Sequence, residues 1–198
     1  MQHTEIVMSG VTVYVAPITT AFPVVNAAPA GNWTKLGTSG DVNLGEDGVT
    51  ISHEQTLNPK RTLGSTGPIK VTRSEENLTV AGVLIDLTLE QYAKVLNRCT
   101  VTDTPADDGV AGIRTIPLRQ GVTVATFAVV VRGEYASPYG ETFNIQYEIP
   151  VMYQSENPAP VFAKGDSANL SFTFTALEDA ATPATPFGKA VFQDALPT

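Results

Sequence analysis

The chain has 198 residues, 42% of them hydrophobic, with 12 Lys and Arg against 20 Asp and Glu and a formal net charge of −8. That apolar content suffices for one sizeable core, while the acidic balance excludes a protein that grips nucleic acid, which needs clustered cations to displace counterions from phosphate. It does not exclude a surface that nucleic acid slides past.

Sixteen Gly and fourteen Pro are spread among frequent Val and Thr, a pattern of short strands separated by turns, so the expected fold is mainly β and a single domain. Residues 5–16 read as a first strand, interrupted at Ser9-Gly10 and stopped by Pro17, which cannot donate to a ladder. Residues 17–31, with Pro17, Pro23 and Pro29 among several Ala, read as an extended segment that borrows any order from a neighbour: a reaching arm in an assembly, or a floppy connector in a monomer. Trp33 is expected to anchor the edge of the core. Turn clusters at residues 37–41 and 45–48 bracket a short strand over 42–44.

Residues 49–97 hold the most informative stretch. Alternation of apolar and polar residues predicts strands over 49–55 and 69–73, joined by a polar loop over 56–68. Thirteen residues exceed what a hairpin turn needs, so the loop reads as an excursion with its own task. A strand over 77–87 follows, and then a helix over 88–96: Thr88 and Gln91 have capping-box spacing, and Leu89, Tyr92, Ala93 and Leu96 form one apolar stripe.

Beyond the helix, residues 102–109 read as a loop and 113–118 as a short strand. Val122 to Val131 is apolar on both faces, which predicts a central strand covered on both sides, with the helix on one of them. Residues 141–152 alternate cleanly: Phe143, Ile145, Tyr147, Ile149 and Val151 take the core face, while Thr142, Asn144, Gln146 and Glu148 take a wet one. Residues 169–177 do the same, with Leu170, Phe172, Phe174 and Ala176 inward and Asn169, Ser171, Thr173 and Thr175 outward. The tail, 179–198, reads as loosely held.

Residues for chemistry are scarce. The two histidines are His3 and His53, and on a strand His53 points away from its neighbours Ser52 and Glu54, so no relay forms there. Nothing has metal-ligand spacing, and Gly64-Ser-Thr-Gly67 lacks the Lys and the helix of a phosphate-binding loop. Glu75-Glu76 reads as a solvated pair. No catalytic residue, metal or cofactor is expected, and the chain reads as non-enzymatic. Cys99 is the sole cysteine and cannot close an intramolecular disulfide, and the start Met1-Gln-His-Thr-Glu5 lacks a signal peptide's charged and apolar regions. Assembly in cytoplasm is expected. No apolar run approaches the roughly 20 residues of a membrane-crossing helix, so no membrane association is expected.

The order of elements from 49 to 97, with Ser9-Gly-Val-Thr-Val-Tyr-Val-Ala16, Asn32-Trp-Thr-Lys-Leu-Gly37 and Phe172-Thr-Phe-Thr-Ala-Leu177, resembles the tail tube (major tail) proteins of long-tailed bacteriophages over most of the chain. That resemblance implies a β-sandwich or partial barrel with one flanking short helix, a long inter-subunit loop and an arm. It also implies a homo-oligomer of hexameric rings stacked into a virion tail assembled in the host bacterium, through which DNA is ejected without specific binding. Tail terminator, tape measure and baseplate proteins would be its partners. Leu57, Lys60, Arg61, Leu63, Gly64 and Gly67 are the expected contact between stacked rings. Thr142, Asn144, Gln146, Glu148, Ser171, Thr173 and Thr175 are the candidate lumen face. A secretion-system or contractile-tail tube, or a tail terminator or adaptor, is the alternative. A monomeric β-sandwich binding module belongs to a different class again, and an exposed aromatic cluster would favour it.

Overall fold

In the computed structural model, which describes residues 10–140, 142–162, 164–165 and 167–194, the alternating segments pair into one large antiparallel sheet. Strand β1 is Val11–Pro17, β2 Thr34–Lys35, β3 Leu44–Lys60 and β4 Lys70–Leu84; helix α1 is Leu89–Val95. Strands β5 (Thr102–Thr104) and β6 (Ile113–Thr115) form a separate small sheet, and β7 (Phe127–Gly133), β8 (Ile145–Gln154), β9 (Pro160–Val161), β10 (Asn169–Ala176) and β11 (Lys189–Phe192) complete the fold. The order across the large sheet is β2, β1, β7, β8, β10, β4, β3, with β11 added on β8 and β9 on β10. The sheet is not closed: among the described residues neither β2 nor β3 has a partner on its outer side.

Strand β7 is the middle of the fold, buried along its whole length and paired with β1 and β8. Its Phe127, Val129 and Val131 enter the main core with Val13, Val15, Val80, Phe172 and Phe174. Phe127 meets Phe174 edge-on at 4.9 Å between ring centroids, a favoured geometry for aromatic pairs. The helix covers this face, with Val95 inside the core and Tyr92 packed on it. On the other face Ala128 and Val130 cluster with Trp33, Phe22 and Tyr14, the last being the ladder partner of Val130 on β1. The two-sided cover expected from the apolar run is therefore present, but the strand begins at Phe127 rather than Val122. Asn97, at the end of the helix with φ +54°, accepts from the Ala125 amide at 2.6 Å and donates to the Gln120 and Thr123 carbonyls. Backbone groups that a ladder would have used are thereby taken up in a loop.

The helix starts where the spacing predicts. Thr88 Oγ1 accepts from the Gln91 amide at 3.3 Å, satisfying one of the orphan donors of the first turn. Gln91 does not complete the capping box; its Oε1 instead accepts from the Gly37 amide at 2.9 Å, and Lys94 Nζ donates to the Lys35 carbonyl at 2.7 Å. The helix is thus tied to the end of β2 and the turn that follows it. Burial, and then the neighbouring Arg98, lower the pKa of Lys94.

Several expected boundaries move. Residues 42–44 are not a strand: Gly40–Asn43 is a 3-10 turn, and Leu44 opens β3. The strands expected over 69–73 and 77–87 are one strand, β4. The expected loop over 56–68 is shorter, because Thr56–Lys60 continue β3 against Lys70–Glu75. Of the strand expected over 113–118, only Ile113–Thr115 pairs, and Thr102–Thr104 of the expected loop is its partner. The first part of the strand expected over 5–16 lies outside the described residues, as do Glu141 and residues 195–198.

The tail expected to be loose is docked as far as Asp194: β11 pairs residue for residue with β8, from Lys189 opposite Glu148 to Phe192 opposite Ile145. It takes the edge of β8 that β10 leaves unused, since β10 pairs only with Met152, Tyr153 and Gln154. Gly188 makes the approach possible. Its φ is +99°, and a Cβ there would stand 1.9 Å from the Glu148 carbonyl oxygen, so a side chain meets both backbone strain and a collision. Gly188→Ala should therefore lower stability by about 2 kcal/mol or more and expose the β11 amides to hydrogen exchange. Gly121→Ala, where φ is +77° but nothing lies within 4 Å, should cost only about 1 kcal/mol. Thermal melting of both variants checks the contrast.

Candidate functional site

The most unusual surface is the end of the β3–β4 hairpin. All residues from 53 to 77 are exposed, so beyond His53 and Leu78 the two strands leave the body as a ribbon with water on both faces. Seven residues of β3 past His53, at about 3.3 Å each, carry the ribbon roughly 23 Å outward. The register explains its two faces. Gln55 pairs with Glu76 and Thr56 with Glu75, but Leu57 pairs with Arg73, so β4 holds one extra residue at Ser74. That bulge changes the parity of β4 and places Val71, opposite Pro59, on the same face as Leu57. Arg73 follows them, donating to Gln55 Oε1 and to Glu76 Oε2, each at 2.9 Å. Thr56 Oγ1 donates to Glu75 Oε2 at 2.9 Å on the opposite face.

One face of the ribbon therefore carries an apolar line, Leu57, Pro59 and Val71, and Ile69 and Leu63 are exposed nearer the tip, Leu63 completely at 108%. The tip is also basic. Lys60 stands opposite Lys70, and Arg61 donates to the Thr66 carbonyl at 2.7 Å. Residues 57–72 contain these three cations and no anion, so the net charge of −8 divides into +3 on this end and −11 on the rest of the chain. Of the expected contact residues, Leu57, Lys60, Arg61, Leu63, Gly64 and Gly67 all lie at this end and all are exposed. Ile69, Lys70 and Val71 belong with them. They were missed because polar neighbours on both sides make 69–73 read as an ordinary half-buried strand.

The candidate lumen face divides. Ser171, Thr173 and Thr175 lie on the outer surface, Thr173 Oγ1 donating to Glu156 Oε2 at 3.0 Å and Thr175 Oγ1 to Ser155 Oγ at 2.8 Å. Thr142 is exposed and Asn144 half-buried. Gln146 and Glu148, expected in water, are 0% and 5% exposed. The arm over 17–31 lies across them, and they hold it: Gln146 Nε2 donates to the Pro23 carbonyl at 2.7 Å and to Glu148 Oε1 at 2.8 Å, while its Oε1 accepts from Arg132 at 3.2 Å. Arg132, 4% exposed, donates to the Val25 carbonyl at 2.9 Å, and Asn144 Nδ2 donates to the same oxygen at 3.1 Å. Arg132 Nε lies 3.7 Å from Glu134. Lys189 of β11 closes the line 3.3 Å from Glu148. These bonds hold the arm on its own sheet. Arg132 was the legible signal, a cation ending an apolar strand on the same side as Ala128 and Val130.

The face switch in β8 also departs from expectation. Val129 pairs with Ile149 but Phe127 with Met152, so a bulge lies at Pro150 and Val151. Met152 then enters the core in place of Val151. Val151 instead lines a cavity of about 440 Å³ on the outer face, walled by Ile18 and Phe22 of the arm and by Asp179, Ala181 and Thr185 of the tail. Thr19, a β-branched residue at φ +68°, stands at its rim. Asp179 is spent on its own turn, accepting from the Ala181 amide at 3.0 Å and from Thr182 Oγ1 at 2.9 Å.

A second hollow, near Arg132, is lined by Tyr14, Lys35, Asp41 and Glu134. Burial, then Glu134, raise the Tyr14 phenol above its ordinary pKa. Among the described residues no group of three or more His, Cys, Asp and Glu could hold a metal ion, and no helix is long and apolar enough to cross a membrane.

No protein-family model matches the chain, and no curated protein matches it. Among solved structures, it is similar to a chain in the tail of an empty GTA particle refined with C6 symmetry, at 8% sequence identity and a TM-score of 0.42, over 92% of this chain and 95% of that one.

Gln146→Leu should remove about 3 kcal/mol, because Arg132 and Glu148 would remain buried with fewer partners, and it should open residues 17–31 to proteolysis. Glu148→Gln keeps an acceptor for Gln146 and loses mainly the attraction to the exposed Lys189, so it should cost about 1 kcal/mol or less. Denaturant unfolding and limited elastase digestion read out both.

Proposed function

We propose that this chain is a structural subunit that self-assembles into stacked rings forming a tail tube, a conduit for DNA. The observation that carries this reading is the ribbon, residues 53–77, extended in water with Leu57, Leu63, Ile69 and Val71 uncovered. A two-stranded ribbon with no covered face is at best marginally stable, and its apolar residues gain about 1.5–3 kcal/mol each when fully buried. Exposed apolar side chains on an extended arm are the features of a surface completed by another molecule. The 17-residue strand β3 supports the same reading, because its outer edge is unpaired among the described residues and an open edge invites pairing with a neighbouring chain. Pairing of such edges around a ring removes them.

In this proposal the ribbon joins one ring to the next, through Leu57, Lys60, Arg61 and Leu63 together with Ile69, Lys70 and Val71. The lumen wall includes Ser171, Thr173 and Thr175 of β10; neutral hydroxyls with nearby carboxylates give phosphate no cationic partner, so a strand of DNA is not trapped. The resemblance to phage tail tube proteins agrees with a hexameric ring and a virion location.

Two variants test this. In one, residues 57–72 are replaced by a two-residue Asn-Gly turn, which preserves the hairpin below it; in the other, Lys60 and Arg61 are both changed to Glu. Both should melt within about 3 °C of the parent, since the deleted part touches none of the core, and both should lose rods in negative-stain electron microscopy. High salt should partly restore rods in the charge reversal, because it screens the new repulsion. A parent protein that stays monomeric in light scattering at every concentration and salt tried defeats the proposal.

A further inference from the structure

We infer that the outer-face cavity between the arm and the tail is the receptor for the ribbon tip of a second copy of this chain, with Leu63 as the plug. The inference rests on the assembly reading above and specifies which surface meets which. The cavity, about 440 Å³, is lined mainly by apolar groups, Ile18, Phe22, Ala128, Pro150 and Val151 among them. That volume lies in the range of sites that enclose a small apolar ligand, and it is ample for one leucine side chain. Leu63 is the most exposed large apolar residue among those described, and it sits near the end of the exposed ribbon.

Charge runs the same way. Glu148 and Asp179 stand in the cavity wall and Glu178 beside it, against one cation, Lys189, which is already drawn to Glu148 at 3.3 Å. The entering tip brings Lys60, Arg61 and Lys70 with no anion. Like charge elsewhere on the acidic body gives the cationic tip many weak sites; here attraction and an apolar pocket coincide.

Topology makes the contact intermolecular. No residue of the ribbon lines the cavity of its own chain, and β8, which floors the cavity, is separated from β3 by β10 and β4. Tip and cavity are different surfaces of one molecule, so joining them head to tail is a heterologous contact, which propagates instead of stopping at a dimer. The arm and tail that wall the cavity are fixed by Arg132, Gln146 and Glu148 and by β11, so the receptor exists before the partner arrives, which limits the ordering cost to the tip.

The experiment uses the full chain with Cys99→Ser, to remove the native thiol, and adds Leu63→Cys with Ala181→Cys. After assembly, mild oxidation with copper-phenanthroline should give a ladder of covalent multimers on a non-reducing gel, and either single cysteine should give at most dimers. Separately, Ala181→Trp, which fills the cavity, and Leu63→Ser, which removes the plug, should each raise the concentration at which rods appear at least tenfold, about 1.4 kcal/mol per contact, with the melting temperature unchanged. Rods that form normally in both substitutions and give no ladder overturn the docking and leave the tube reading standing. A parent chain that forms no rods at all overturns both.

Discussion

The arm and the last strand are joined to the central strands through one buried guanidinium. Arg132, next to last in β7, is 4% exposed, and a charge in that position is tolerable only with partners. It finds them in the Val25 carbonyl, Gln146 and Glu134. Gln146 extends the line to Pro23 and Glu148, and Glu148 to Lys189. One chain of polar contacts thereby fastens a proline-rich arm, two central strands and the last strand. Without it the arm has little to hold it: Trp33 Nε1 to the Ala21 carbonyl at 3.0 Å and the Phe22–Trp33 ring contact would remain at one end only. The polar line costs desolvation, and apolar residues there could pack as well. What it adds is register, because a carbonyl must meet a particular amide or guanidinium before the arm lies down.

A rigid body of this kind contrasts with what projects from it. In the body, strands are covered on one or both faces and β7 is inaccessible throughout. In the ribbon no residue is covered, and the bonds that hold it are its own ladder and a few exposed contacts such as Arg73–Glu76, each worth about 0–1 kcal/mol. Stability is therefore uneven by construction, high in the sheet and low at the tip. A surface that must fit a neighbour gains from this division, since the body sets the position while the tip retains the freedom to adjust.

The same contrast explains what could be read from the amino-acid sequence. Thr88, the apolar stripe of the helix and the inward residues of β10 were legible because each rests on local periodicity, and periodicity is a property of consecutive residues. The ends of β7 were not, because Asn97 decides them from 26 to 28 residues away through the Thr123 and Ala125 backbone. Gln146 and Glu148 show the limit most sharply. Alternation correctly put them on the face opposite Ile145 and Ile149, but it cannot say whether that face is later covered, and here an arm from residues 17–31 covers it. Thr56–Lys60 fail in the opposite direction. A strand with water on both faces needs no apolar alternation, so it looks like a loop. The candidate contact residues nevertheless lie together at one exposed end, since the basic pair Lys60-Arg61 and its neighbouring leucines are compositional signals that hold whether the backbone is loop or ribbon.

Charge links the uneven stability to the proposed assembly. With −11 on the body and +3 on the ribbon end, two bodies brought together face to face repel, and at physiological salt that repulsion reaches only about 8 Å. The ribbon extends roughly 23 Å from the body, beyond that distance, so its cationic end reaches a second molecule before the bodies oppose each other. Encounters by the tip are favoured and encounters by the flanks are not. A chain with the same charges distributed evenly would have no such preference in orientation. In the assembly we propose, the long projection and the segregated charge act together: they select, among the many ways two copies could meet, the one in which tip precedes body, and repetition of that contact would give a directional stack.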